Sequence, residues 1–229
     1  LGQDESSYSK WLGVSQERDA KETLSYMPEG QLAWLVVDHY GLDEVWERQV
    51  RARVDQLMVI DDLENRVHAC DFLLDQNYKL DYRMPYIELV PESTKRLLGP
   101  SYALLGSEYT NHVNSLKKRG DYRKKILVFM GGADTNNATG LVLRALSSSE
   151  LLDLDVDVVI PDNHQFRPEI EMQCERRPNT RLLGAQRSLL DLIDNADIAI
   201  GAGGGAMWER FCIGLPAVII NIAENQVPA

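Results

Sequence analysis

The sequence predicts an α/β protein built from two parallel-sheet domains. Short apolar runs recur along the chain, each ending in polar residues, as strands buried on both faces do. Glycine turns stand between such a run and a helical stretch at two places, Gly131-Gly132 and Gly201 to Gly205. A polar, basic segment interrupts the rhythm once, between the two series of runs.

Leu1 to Thr23 are polar and begin with neither a methionine nor an apolar strand, and the chain ends at Ala229 where an α/β domain would continue into a helix, so a fragment truncated at both ends is expected. Gln31 to Val37 reads as a buried strand with Asp38-His39-Tyr40-Gly41 at its polar end, followed by a helical stretch from Asp43 to Arg53. Leu57 to Ile60 is the next strand, ending in Asp61-Asp62, and Cys70 to Leu74 a third, ending in Asp75-Gln76-Asn77. Leu98-Gly99-Pro100 and the stretch from Ser107 to Lys125 break the pattern. A boundary near Lys117 to Asp121 follows, with an N-terminal domain over 1–118 and a second over 119–229.

The second domain opens on the strand Lys124 to Met130, then Gly131-Gly132-Ala133-Asp134-Thr135-Asn136-Asn137 and a helix to Leu146. Leu154 to Ile160 is a strand, Gln165 to Cys174 a helix, Arg181 to Leu183 a strand and Ser188 to Asn195 a helix. A strand from Asp197, the Gly201–Gly205 turn, a helix opening near Ala206 and stopped by Gly214-Leu215-Pro216, and the strand Ala217 to Asn221 complete a doubly wound unit.

The chain has 229 residues, 44% of them apolar, and a formal charge of −11. That charge argues against nucleic acid, which needs clustered Lys and Arg. Cys70, Cys174 and Cys212 lack any paired spacing and read as core thiols of a reducing compartment. No apolar run approaches a membrane span and no signal peptide opens the chain, so a cytoplasmic protein without a membrane partner is expected. Asp61-Asp62 has no third ligand at a recognisable spacing. It is read as a solvated strand end, and no metal and no cofactor are expected.

The chemistry concentrates in the last strand–turn–helix. Gly203, Gly204 and Gly205 carry no Cβ, so their N–H groups can approach an anion that faces the helix N-terminus at Ala206, a cradle for a diphosphate. Glu209 follows about one helical turn later, placed for a ribose hydroxyl. Glu224, Asn225 and Gln226 lie in the loop at the carboxyl end of the last strand, where open α/β sheets take ligands.

Four segments together resemble a known family: Val36 to Gly41, Leu98 to Leu105, Met130 to Asp134 with Asn137, and Gly201 to Gln226. They look like the UDP-2,4-diacetamido-2,4,6-trideoxy-β-L-altropyranose hydrolases of pseudaminic acid biosynthesis, relatives of the lipid II UDP-N-acetylglucosamine transferase. The resemblance implies a GT-B fold, two Rossmann-like domains whose parallel sheets face a cleft. It implies hydrolysis of a sugar C1–O bond with release of UDP and free sugar, in a pathway that serves flagellin glycosylation. The family's Gly-x-Gly-His motif, whose histidine activates water, is absent here.

By the same resemblance Tyr40 lies near the reacting sugar; the alternative is a tyrosine capping the sheet edge by a hydrogen bond. His39 is a candidate base oriented by Asp38, though a structural histidine is the favoured reading. Asn225 and Gln226 match the family's cleft-facing Asn-Gln pair. Gly131, Gly132, Asp134 and Asn136 are expected to line the UDP site with Gly203, Gly204, Gly205, Ala206 and Glu209. His68, His112 and His164 are expected at the surface. A UDP-sugar is the expected partner. A glycosyltransferase using a UDP-sugar donor, or a non-catalytic sugar-nucleotide-binding module, are the alternatives, and a related hydrolase of spore-coat polysaccharide synthesis could share the motifs.

Overall fold

The structure is a computed structural model that describes residues 6–79, 85–113, 124–132 and 134–222. The chain parts into two compact units at Ala103/Leu104, ahead of the 118/119 boundary read from the sequence.

The first unit holds a four-stranded parallel sheet in the order β1-β2-β3-β4, with β1 Leu32–Val37, β2 Val54–Ile60, β3 Phe72–Asp75 and β4 Lys95–Leu98. Two helices precede it, α1 Ser6–Leu12 and α2 Gln16–Tyr26, and α3 Glu44–Val50 connects β1 to β2. Ser15 caps α2 by accepting the Arg18 N–H, and Asp43 caps α3 by accepting the Val45 N–H. Trp46 Nε1 donates to Asp19 at 2.8 Å and ties α3 to α2, over a core of Ala20, Val50, Leu57 and Leu73. The polar opening of the chain did not announce α1 and α2, because their stability comes from that docking and not from an apolar stripe. β4 was also unanticipated; it starts Lys95-Arg96 and is four residues long.

The connection from β2 to β3 is a loop where the sequence rhythm suggested a turn or helix, and side chains take over the satisfaction of its buried backbone. Glu47 accepts the Ala69 N–H, Asp61 accepts the Glu64 N–H at 3.3 Å, and Arg66 Nε donates to the Leu42 carbonyl at 2.9 Å. His68 lies between two carboxylates: its Nδ1 is 2.6 Å from Glu47 and its Nε2 is 3.9 Å from Asp61, which Arg66 pairs at 2.6 Å. Asp61 is 1% exposed and His68 likewise, so neither is the solvated group expected from the sequence. The loop needs them inside.

The second unit, Leu104 onward, begins with α4 Ser107–His112 and carries a five-stranded parallel sheet. Its strands are β5 Lys125–Phe129, β6 Asp155–Val159, β7 Thr180–Leu183, β8 Ile198–Ala202 and β9 Ala217–Ile220, in the order β7-β6-β5-β8-β9. The helices are α5 Ala138–Leu146, α6 Arg167–Arg176, α7 Leu190–Asn195 and α8 Gly205–Cys212. Alternate residues of β5 enter different cores: Ile126 and Val128 pack with Val142, Leu143 and Ile170 of α5 and α6, and Leu127 packs with Ile193 and Ile213 on the α7 and α8 side. Both faces are therefore covered, as the apolar strands require. Asp197 accepts the N–H groups of Lys124 and Lys125 at 3.0 and 2.9 Å, aligning the starts of β5 and β8. Cys70 and Cys174 are buried, and burial pushes their thiols up to about 12 and about 11. Among the described residues no helix is long and apolar enough to cross a membrane.

Candidate functional site

Renumbered within the second unit, its strands run 3-2-1-4-5, so β5 and β8 are the neighbours at which the strand order reverses. Connections leave these two strands toward opposite sides, which opens a crevice at their carboxyl ends. Both glycine turns fall there. A cavity of about 210 Å³ is lined by Met130, Gly131, Gly132, Gly204, Gly205 and Ala206 among others. Gly131 has a φ of 84°, a left-handed conformation that a side chain would strain. At Gly132 and Gly205 a Cβ would meet nothing within 4 Å, so open space lies above each.

The two helix N-termini beside this cavity differ. At α5 the donors are taken: Asp134 accepts the N–H groups of Ala138 at 2.7 Å and Thr139 at 2.9 Å, and Asn137 accepts that of Gly140 at 3.0 Å. At α8 the N-cap is Gly204, with no side-chain cap. The dipole of α8 is thus presented without a carboxylate of its own, the arrangement that receives a ligand anion. Asp134 is buried under its turn and bonds to the helix, and Asn136 is exposed; both were expected from the sequence at the UDP site, and the lining of this cavity includes neither.

Glu209 is partly buried on α8. Burial raises the pKa of its carboxylate, and the Tyr109 hydroxyl of α4 beside it works the other way. Tyr109 is 2% exposed, and its oxygen in turn receives the Leu189 N–H at 3.0 Å. Nothing local in the sequence marks Tyr109; the N–H it receives lies eighty positions away. Arg210 is buried against β8 and donates through Nη2 to the Ala202 carbonyl at 2.7 Å.

In the first unit, Tyr40 sits at the carboxyl end of β1 and donates to Asp62 at 2.6 Å, and Asn77 Nδ2 donates to the other Asp62 oxygen at 3.0 Å. The bond joins the ends of β1, β2 and β3, the edge-capping geometry weighed for Tyr40. It spends the phenol proton on Asp62, so toward any further group the oxygen is an acceptor. The Arg66 guanidinium lies 5.8 Å from the Tyr40 ring centroid. Deeper along the edge, Asp75 accepts the Asn77 N–H at 3.0 Å and lies 2.6 Å from Lys79 Nζ; burial raises its carboxyl to about 6.

His39 does not stand ready as a base. Its Nδ1 accepts the Gly41 N–H at 3.0 Å, which engages that lone pair and leaves the proton of the neutral ring on Nε2. Asp38 is exposed. His164 is buried with Nε2 4.0 Å from Asp134, so the surface position expected for it is corrected along with that of His68. His112 is partly exposed and pairs with Asp194 at 3.1 Å. Asn225 and Gln226 lie outside the described residues, as does Glu224.

No protein-family model matches the chain. It is similar to the spore coat polysaccharide biosynthesis protein SpsG of Bacillus subtilis, 23% identical over 199 residues that cover 86% of this chain and 58% of that protein. An uncharacterized protein of Methanocaldococcus jannaschii is 23% identical over 200 residues, 84% of this chain and 41% of its own length. The UDP-2,4-diacetamido-2,4,6-trideoxy-β-L-altropyranose hydrolase of Campylobacter jejuni is 25% identical over 205 residues, 90% of this chain and 72% of that enzyme. The chain therefore spans about three fifths or less of the first two relatives. Among solved structures, MurG of Acinetobacter baumannii superposes with a TM-score of 0.48 at 12% identity, over 92% of this chain and 57% of MurG.

Proposed function

We propose that the second unit binds the UDP moiety of a sugar nucleotide and that the protein hydrolyses its anomeric C1–O bond, releasing UDP and the free sugar. The substrate class is a UDP-linked 2,4-diacetamido-2,4,6-trideoxy sugar. The observation that carries the binding half is the meeting of both glycine turns in one cavity at the β5/β8 reversal, beside an α8 N-terminus that has no capping side chain. The similarity to a UDP-sugar hydrolase and to a spore coat polysaccharide protein supports the sugar-nucleotide class.

In this reading the N–H groups from Gly203 to Ala206 take the diphosphate oxygens and stabilise the charge that develops on the leaving UDP. Glu209 accepts a hydrogen bond from a ribose hydroxyl. Tyr40, its own proton held by Asp62, accepts from a hydroxyl or amide N–H of the sugar. Water attacks C1 and loses a proton to a base as the C1–O bond breaks. The resemblance assigns that base to a Gly-x-Gly-His histidine which this sequence does not contain, and the bond from Gly41 N–H to His39 argues against His39 as its substitute. The C-terminal loop residues Asn225 and Gln226 belong to the same proposal.

Release of UDP from the UDP-sugar, followed with and without a saccharide acceptor, tests the function. Hydrolysis predicts UDP release that needs no acceptor. Strict acceptor dependence would make the protein a transferase, and tight binding with no release would leave a binding module.

A further inference from the structure

Arg210 is an unusual residue to find inside a sheet–helix interface. It is 1% exposed, and the opposite charge acting on it is the carboxylate of its neighbour Glu209. Nη2 is bonded to the Ala202 carbonyl, and Nε is buried without a hydrogen-bond partner. Nη1 lies against Gly201 so closely that a Cβ there would come within 2.5 Å of it and within 2.5 Å of the Phe129 carbonyl, so a glycine at 201 is what admits the guanidinium.

Burying a cation is costly, and one carboxylate beside it, that of Glu209, compensates only part of that cost. Burial draws the guanidinium down to about 10, which still leaves it protonated at neutral pH. This charge lies directly behind the segment Gly201-Ala202, on the strand that leads into the turn and the uncapped N-terminus of α8. Two independent sources of positive potential, a helix dipole and a guanidinium in a low-dielectric interior, therefore converge on one short stretch of backbone.

We propose that Arg210 is the buried counter-charge of the diphosphate site, acting from beneath the glycine turn. By holding the Ala202 carbonyl inward it turns the following N–H groups toward the cavity, and its charge makes the site favour ligands of higher negative charge. Arg210 is a positioning residue in this scheme. The inference rests on the reading of this turn as a diphosphate site and adds the device that selects for charge.

Calorimetry with uridine, UMP and UDP, on the wild type, Arg210→Met and Arg210→Lys, tests it. In the wild type, affinity rises from uridine to UDP. Arg210→Met is expected to bind uridine as the wild type does while its gain from uridine to UDP shrinks about ten-fold or more, and Arg210→Lys to recover part of the gain. An unchanged gain in folded Arg210→Met, or equal losses for uridine and UDP, overturns the proposal and leaves the site itself standing. A wild type that binds none of the three removes the site and the proposal together. Should Arg210→Met not fold, the Nε–H resonance of Arg210 in the wild type decides: a shift that saturates with pyrophosphate supports the counter-charge, and no shift refutes it.

Discussion

The Tyr109 hydroxyl of α4, held by the Leu189 N–H at 3.0 Å, stands beside the carboxylate of Glu209 on α8 and works against the rise in its pKa that burial causes. If Glu209 holds a ribose hydroxyl, the two residues act as a unit. Glu209→Ala should weaken UDP by about 10- to 150-fold, the range for a charge-assisted hydrogen bond of about 1.5–3 kcal/mol, and leave pyrophosphate nearly unaffected. Tyr109→Phe should produce a smaller loss of the same kind, about ten-fold or less, and no additional loss in the double variant. Calorimetry with both ligands measures this. Equal weakening of UDP and pyrophosphate by Glu209→Ala would assign the residue to the fold.

Asp134 belongs to the helix it introduces. Its two oxygens hold the Ala138 and Thr139 N–H groups. Asp134→Ala should lower stability by about 1–2 kcal/mol, as loss of a helix cap does, with UDP affinity of the folded protein changed little. Chemical denaturation and calorimetry on the same sample decide it; a large affinity loss at wild-type stability would return Asp134 to the ligand site.

The glycine turns and most strands were legible because their signals are local: an apolar run, a turn, a helical stretch. What Asp134 does was not, since a carboxylate after two glycines suits a ligand and a cap equally, and only the path of α5 distinguishes them. The burial of Asp61 and His68 was illegible for a different reason. Charged residues go inside here because the β2–β3 connection is a loop whose backbone needs partners, with Glu47 supplied by another element. Tyr109 and Arg210 likewise owe their places to tertiary contacts, the first with Leu189 and the second with a glycine nine positions earlier. The 118/119 boundary followed composition, whereas contacts draw α4 into the second unit.

Tyr40 is expected to matter more to turnover than to stability. Tyr40→Phe removes the bond to Asp62 and should cost about 0.5–1.5 kcal/mol of folding free energy. In the UDP-release assay it should lower kcat at least ten-fold, the loss of one hydrogen bond made to a reacting substrate. Wild-type turnover in folded Tyr40→Phe would reduce Tyr40 to a sheet-edge cap.

Asp157 gives the second unit part of its acid sensitivity. Burial alone would raise its carboxyl, but hydrogen bonds from Arg181 at 2.7 Å and the Lys125 ammonium at 3.1 Å outweigh it and hold the pKa below the ordinary 3.8. The folded state therefore favours the ionised form. Its contribution to stability is present above about pH 4 and is lost as pH falls through the folded-state value. Asp157→Asn should be less stable at pH 7 and lose less than the wild type between pH 5 and pH 2, read from urea midpoints. Parallel pH profiles for the two proteins would contradict this.

The site at the β5/β8 reversal meets its most direct test at Gly205. A Cβ at this position meets nothing within 4 Å, so Gly205→Val should fold with near-wild-type stability while its side chain stands where the diphosphate must approach the N–H groups of α8. Calorimetric titration with UDP is the measurement. Binding by the wild type and at least a ten-fold loss in Gly205→Val is the expected result; equal affinity for UDP in the two folded proteins, or none in either, would contradict a diphosphate cradle at this turn.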